Sequence, residues 1–192
     1  MRFMGQLMNF SSEPEPCPCE EDTPATSPGP VKDGETVVRF VQIKEHVDGD
    51  ASGRVFLRPT AVSKQDLSGR GDHSFSLVRE AHIEENDFDK RAIAKTISDE
   101  WKSDPVIARV PTAHLRAILD DKGRREICVN SDPTTAKDDR LGACPAHAAA
   151  LRSDPPKDKQ RPAWLVLQAK VGECFEDIHH LDGSAVSPDP AT

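Results

Sequence analysis

Hydrophobic positions along this chain follow two periods, and the changes between them outline its elements. Residues 36–46 (TVVRFVQIKEH) are rich in β-branched side chains, with Val37, Val41 and Ile43 on one face, which predicts a strand. Residues 48–53 predict a turn, and residues 54–58 (RVFLR) a hairpin partner ended by Pro59. In residues 74–79 Phe75 and Leu77 alternate with Ser76, the mark of another strand. The period then lengthens. Ile93, Ile97 and Trp101 recur every four residues, Ala94 joins them, and Asp87 stands four before Arg91, so a helix is expected over 87–102; Phe88 falls off its stripe. Residues 106–110 predict a short strand, Thr112 caps a helix through Leu119 that Gly123 terminates, and residues 125–129 predict a further strand. Pro145 opens a short helix through Leu151. Trp164, Leu167, Val171, Cys174, Phe175 and Ile178 form a narrow stripe that predicts a last helix ending near Gly183.

Strands precede and alternate irregularly with helices, without the βαβ rhythm of a parallel sheet. The expected class is α+β, a small mostly antiparallel sheet packed with three to four helices. No internal repeat is present.

Charge and proline divide the chain. Of 192 residues, 25 are Lys or Arg and 33 Asp or Glu, for a net charge of -8. Residues 1–35 hold seven acids against Arg2 and Lys32, and residues 182–192 add Asp182 and Asp189 without a base. Eight of the 16 prolines fall in these two ends. A stretch such as EPEPCPCEEDTPATSPGP offers little apolar surface to offset the entropy of ordering its backbone. Disordered tails are therefore expected over 1–35 and 182–192, around a single domain at 36–181 whose own charge is close to zero.

No run of about 18 apolar residues exists, which argues against a membrane-spanning helix, and no secretory signal pattern opens the chain. All three methionines lie within the first ten residues, which leaves a later start at Val31 as an expectation. Five cysteines, an odd and irregularly spaced set, suit a reducing cytoplasm. Net acidity disfavours nucleic acid as a partner. Residues 54–79 and 152–170 each carry five bases against two acids and could line an anion-binding groove, although no aromatics interleave them.

Three constellations could carry chemistry. Cys144-x-x-His147 with Cys174 and His179 has the residue types and the count of a tetrahedral zinc site. Against zinc, Cys174 lies on the apolar stripe of the last predicted helix, and His179 stands near its C-terminus. Cys144 at a helix N-terminus, one turn from His147, has the ingredients of an activated thiol. The third set is Arg39 on a first strand, Ser74-Phe75-Ser76 on a second, and Glu80, Glu84 or Glu85 after it. It resembles the R-S-E arrangement of ADP-ribosyltransferases, which implies that Arg39 and Ser76 would hold NAD and that a glutamate such as Glu80 would stabilise the transition state. The paired E-x-E of that family is missing after these strands.

Asp48-Gly-Asp50-Ala-Ser52-Gly53 matches half of a calcium loop, but position twelve is Pro59, and a hairpin turn is expected instead. Arg70-Gly71-Asp72 is assigned to chance. Without a complete catalytic set, the expected function is a non-enzymatic binding or regulatory module with a protein partner and no cofactor. The alternatives are an enzyme acting on NAD, a nucleotide or nucleic acid, and a zinc-stabilised domain.

Overall fold

Alternation at the start of the body produces the strand it predicts, β1 (Thr36–Gln42), at the centre of a six-stranded sheet. The computed structural model describes residues 17, 20–21, 23–68, 75–85, 105–134, 144, 146–153 and 161–186. The other sheet strands are β4 (Phe75–Arg79), β5 (Pro105–Pro111), β6 (Ile127–Ser131), β7 (His147–Arg152) and β8 (Asp177–His180), in the order β6-β7-β4-β1-β5-β8. Every neighbouring pair is antiparallel. With helices on this sheet, the class is α+β, as expected.

The predicted strand over 36–46 stops early. Residues Ile43–His46 form one helical turn, α1, where His46 Nδ1 accepts the Gln42 N–H at 3.2 Å. The redirected chain then makes a separate hairpin of β2 (Val47–Gly49) and β3 (Val55–Leu57). Asp50 closes its turn, because Oδ1 accepts the N–H of Ser52 at 2.8 Å and of Arg54 at 3.2 Å. The half calcium loop is thus a hairpin turn.

Side-chain alternation gives the main sheet two faces. Phe75, Leu77, Val37, Val41, Val106 and Ala108 point to an inner face with the larger core cluster. This face is covered by α5 (Arg161–Glu173), which lays Trp164, Leu167 and Val171 onto it. Gly172 brings the helix against β3: a Cβ there would stand 2.5 Å from the Leu57 carbonyl oxygen. The outer face carries a smaller cluster of Val38, Phe40 and Ile107 under Ile83 of α3 (Glu80–Glu85). Two short helices, α2 (Lys64–Ser68) and α4 (Thr112–Arg116), complete the described α-helices, beside one 3-10 turn at Pro59–Ala61.

Several expectations are corrected. The helix expected from Pro145 to Leu151 is strand β7, with Ala148 and Ala150 wholly buried between β4 and β6. The last helix ends at Glu173, and Phe175 and Ile178 reach the core from beyond it, Ile178 as part of β8 paired with Ala108. Helix α4 stops at Arg116, Pro111 stands at its cap, and Gly123, at φ 75°, serves the turn between Asp120 and Arg124. The strand expected at 125–129 lies two residues later. The helix expected over 87–102 lies outside the described residues. Among the described residues no helix is long and apolar enough to cross a membrane.

Residues 20–35 include contacts that the expected tail did not contain. Val31 is buried, a disulfide joins Cys17 to Cys128, and the Asp33 and Glu35 carbonyls accept the first N–H groups of α4, from Ala113 at 3.2 Å and Thr112 at 2.9 Å. At the other end, Ala185 bridges His179 and Val186 is buried.

Candidate functional site

An arginine on an apolar sheet face must meet acceptors, because an unpaired buried charge is costly. Arg79 continues the inward alternation of Phe75 and Leu77 and is only 2 % exposed. Its Nε and Nη2 grip both oxygens of Glu35, at 2.7 and 2.8 Å, and Nη1 donates to the Gly29 carbonyl at 2.7 Å. Burial works to raise the Glu35 pKa, but the hydrogen bonds from Arg79 and the Lys32 N–H, with the Arg79 charge, hold it below its ordinary value.

A second buried guanidinium, Arg116 of α4, is shared between the sheet and the N-terminal segment. Its Nε donates to Glu20 Oε1 at 2.9 Å and its Nη1 to Asp33 Oδ1 at 2.6 Å. Nη2 donates to the carbonyls of Val31 and Val129, at 3.0 and 2.9 Å. Glu20, 8 % exposed, also accepts the Val129 N–H at 2.7 Å and a bond from Arg125 Nη1 at 3.3 Å. Among the described residues Val129 lies on β6, an edge strand paired with β7. Both its N–H and its C=O are taken by this ion pair, so a carboxylate and a guanidinium stand where a further strand would pair. The result is a cradle of two guanidinium groups and one backbone N–H around a single carboxylate, occupied by the chain's own Glu20.

Among the described residues of the ADP-ribosyltransferase-like set, Arg39, Ser76 and Glu80 have different surroundings. Arg39 lies on the inner face, 4.0 Å above the Phe75 ring centroid, and donates to the Ser76 carbonyl at 2.9 Å and to Asp66 Oδ2 at 3.4 Å. Burial lowers its pKa to about 10 against the opposing pull of Asp66, which leaves it charged at neutral pH. The register of β1 and β4 ends at Val38–Val78, and the Arg39 guanidinium bridges the splay beyond. Ser76 itself points to the outer face and is exposed. Glu80, at the start of α3, is held by Arg109 Nε at 2.7 Å. Ser74 lies outside the described residues.

The zinc candidates fall into two separate groups. Cys144 and His147 meet at the start of β7, where the His147 N–H donates to the Cys144 carbonyl at 3.2 Å. His147 Nδ1 lies 2.5 Å from the Asp132 carbonyl oxygen and 3.5 Å from its Oδ2. A hydrogen bond from His147 lowers the Asp132 pKa against the effect of burial, and the His147 charge adds to it. Strand β8, with His179, lies four strand positions away, about 19 Å at ordinary strand spacing. Cys174 follows α5 over the inner face, and His179 lies on the outer one beside Asp177, to which its Nε2 is hydrogen-bonded. Burial, helped by Glu173 and Glu176, pushes the Cys174 thiol up to about 11, far from the thiolate that a metal or a nucleophile requires. Among the described residues no three His, Cys, Asp or Glu side chains are grouped to hold a metal.

Sequence reasoning missed both the Arg79–Glu35 pair and the cradle, although for the first one signal was present: Arg79 in register with Phe75 and Leu77 marks a buried base in need of an acid. Neither Glu20 nor Arg116 carries such a mark. No family model, curated protein or solved structure matches this chain, so the cradle is read from its own geometry.

Proposed function

We propose that the protein is a non-enzymatic binding module that recognises acidic segments of partner proteins through the cradle at Arg116, Arg125 and Val129. The observation that supports this reading is the way Glu20 is held: its side chain is nearly covered, and its one carboxylate is satisfied by two guanidinium groups and an edge-strand N–H. Charge-assisted hydrogen bonds of this kind are each worth roughly 1.5–3 kcal/mol. Three of them supply roughly 4.5–9 kcal/mol before the cost of association and of ordering a peptide, which sets the affinity to look for near about 1 mM. A partner acid entering in place of Glu20 would meet the same groups. We place this activity in the cytoplasm, where disulfides are typically transient and redox-sensing.

The test uses the full chain carrying Cys17→Ser and Glu20→Ala, which removes both the tether and the occupant. An acetylated peptide of residues 20–28 is expected to bind this variant saturably, with affinity falling steeply with salt and about tenfold on the further change Arg125→Ala. Absence of saturable binding up to about 1 mM by a variant with native circular dichroism would sink the reading.

A further inference from the structure

We infer that the Cys17–Cys128 disulfide is a redox latch that keeps the cradle filled by Glu20. The inference rests on the binding reading above and adds its control. Latch and occupant form one unit at both ends. On the segment, the Glu20 N–H donates to the Cys17 carbonyl at 2.9 Å, which ties the half-cystine directly to the residue that carries the carboxylate. On the sheet, Cys128 immediately precedes Val129, whose N–H Glu20 accepts at 2.7 Å. The disulfide therefore pins the occupant within one residue of its own site. It also bridges a sequence separation of 111 residues, so once it is broken Glu20 stays at its site only through its own hydrogen bonds to Arg116, Arg125 and Val129.

The remaining contacts of the segment lie further along the chain. Arg79 holds Glu35 and the Gly29 carbonyl, and Arg116 holds Asp33. Ser27 is also hydrogen-bonded to Ser131 of β6, so cleavage of the latch leaves residues 27–35 anchored and turns the portion before them into a short arm. On such an arm Glu20 competes as a tethered ligand of finite effective concentration, where before it was fixed in place.

The step balances with a dithiol as reductant. One of its thiolates attacks a sulfur of the Cys17–Cys128 bond and releases the other cysteine as a thiol. Its second thiol then resolves the mixed disulfide. The dithiol leaves as its cyclic disulfide, and both protein cysteines end as thiols. Cys17 and Cys128 are both buried, which favours a reductant that completes the second exchange intramolecularly.

The experiment follows binding of the fluorescent acetylated peptide of residues 20–28 to the wild-type full chain, oxidised and after dithiothreitol, with free thiols counted by alkylation and mass spectrometry. The oxidised protein is expected to bind at least tenfold more weakly than the reduced one. The Cys17→Ser/Glu20→Ala variant is expected to bind most tightly, and identically with or without dithiothreitol. Equal binding by oxidised and reduced wild type overturns the latch. So does failure of the reduced wild type to bind while the double variant binds, and in both cases the binding reading stands. Failure of the double variant itself overturns both.

Discussion

Glu35 is the residue on which the hold of the N-terminal segment is most directly measurable. Its carboxylate faces Arg79 through two short bonds, in a place where the guanidinium is buried. Because the folded pKa lies below the ordinary value of 4.5, the group contributes stability fully above that value and loses it as pH falls through the folded pKa. Glu35→Gln keeps the shape and removes the charge. It is expected to cost about 1–3 kcal/mol at neutral pH and progressively less as pH falls below 4.5. Urea midpoints measured across that range check the sign: the wild type should lose stability on acidification faster than the variant, and parallel curves would deny Glu35 this role. At the residue scale, half of this pair was legible. Arg79 announces itself by its place in an apolar alternation, whereas Glu35 sits among other acids in a proline-rich stretch and nothing local distinguishes it from a solvated one.

Elements were legible where a single face decides them and illegible where tertiary packing overrides local preference. Strand β4 follows its alternation closely, while β1 and β5 are buried on both faces and β1 ends four residues before its predicted limit. Strand β7 goes against local preference: residues 147–151 (HAAAL) favour a helix by propensity, yet the small side chains of Ala148 and Ala150 fill the inner face between β4 and β6. The stripe of the last helix was read too long because Phe175 and Ile178 are also buried, though from an extended chain that turns back along β5. Helix α5 offers a test whose sign is diagnostic. Replacing a helical glycine by alanine ordinarily stabilises by about 1 kcal/mol. At Gly172 the new Cβ would meet the Leu57 carbonyl at 2.5 Å, a backbone atom that cannot swing aside. Gly172→Ala is therefore expected to destabilise by about 1–3 kcal/mol in chemical denaturation. A stabilised variant would mean that the helix does not approach β3 this closely.

At the scale of the whole molecule, the acidity that looked like a property of loose ends is partly structural. Glu20, Asp33 and Glu35 neutralise Arg116, Arg125 and Arg79, so the near-zero charge expected for the body alone leaves out carboxylates that its buried arginines require. Composition sorts residues by stretch of sequence, and a long-range ion pair is invisible to it. The same is true of the Cys17–Cys128 pairing. The segment is held in two parts, and the two should open separately. Near Glu20 it depends on the disulfide and on the Val129 N–H, and near Glu35 on Arg79 and on the amides of Thr112 and Ala113. Amide hydrogen exchange distinguishes them, since local opening exposes only the groups that lose their acceptors. In the Cys17→Ser/Glu20→Ala chain the Val129 amide is expected to exchange faster by at least tenfold, while Thr112 and Ala113 keep the protection of the wild type. Loss of protection at all three together would make residues 20–35 one cooperative unit with the sheet, leaving no separate arm to move out of the cradle.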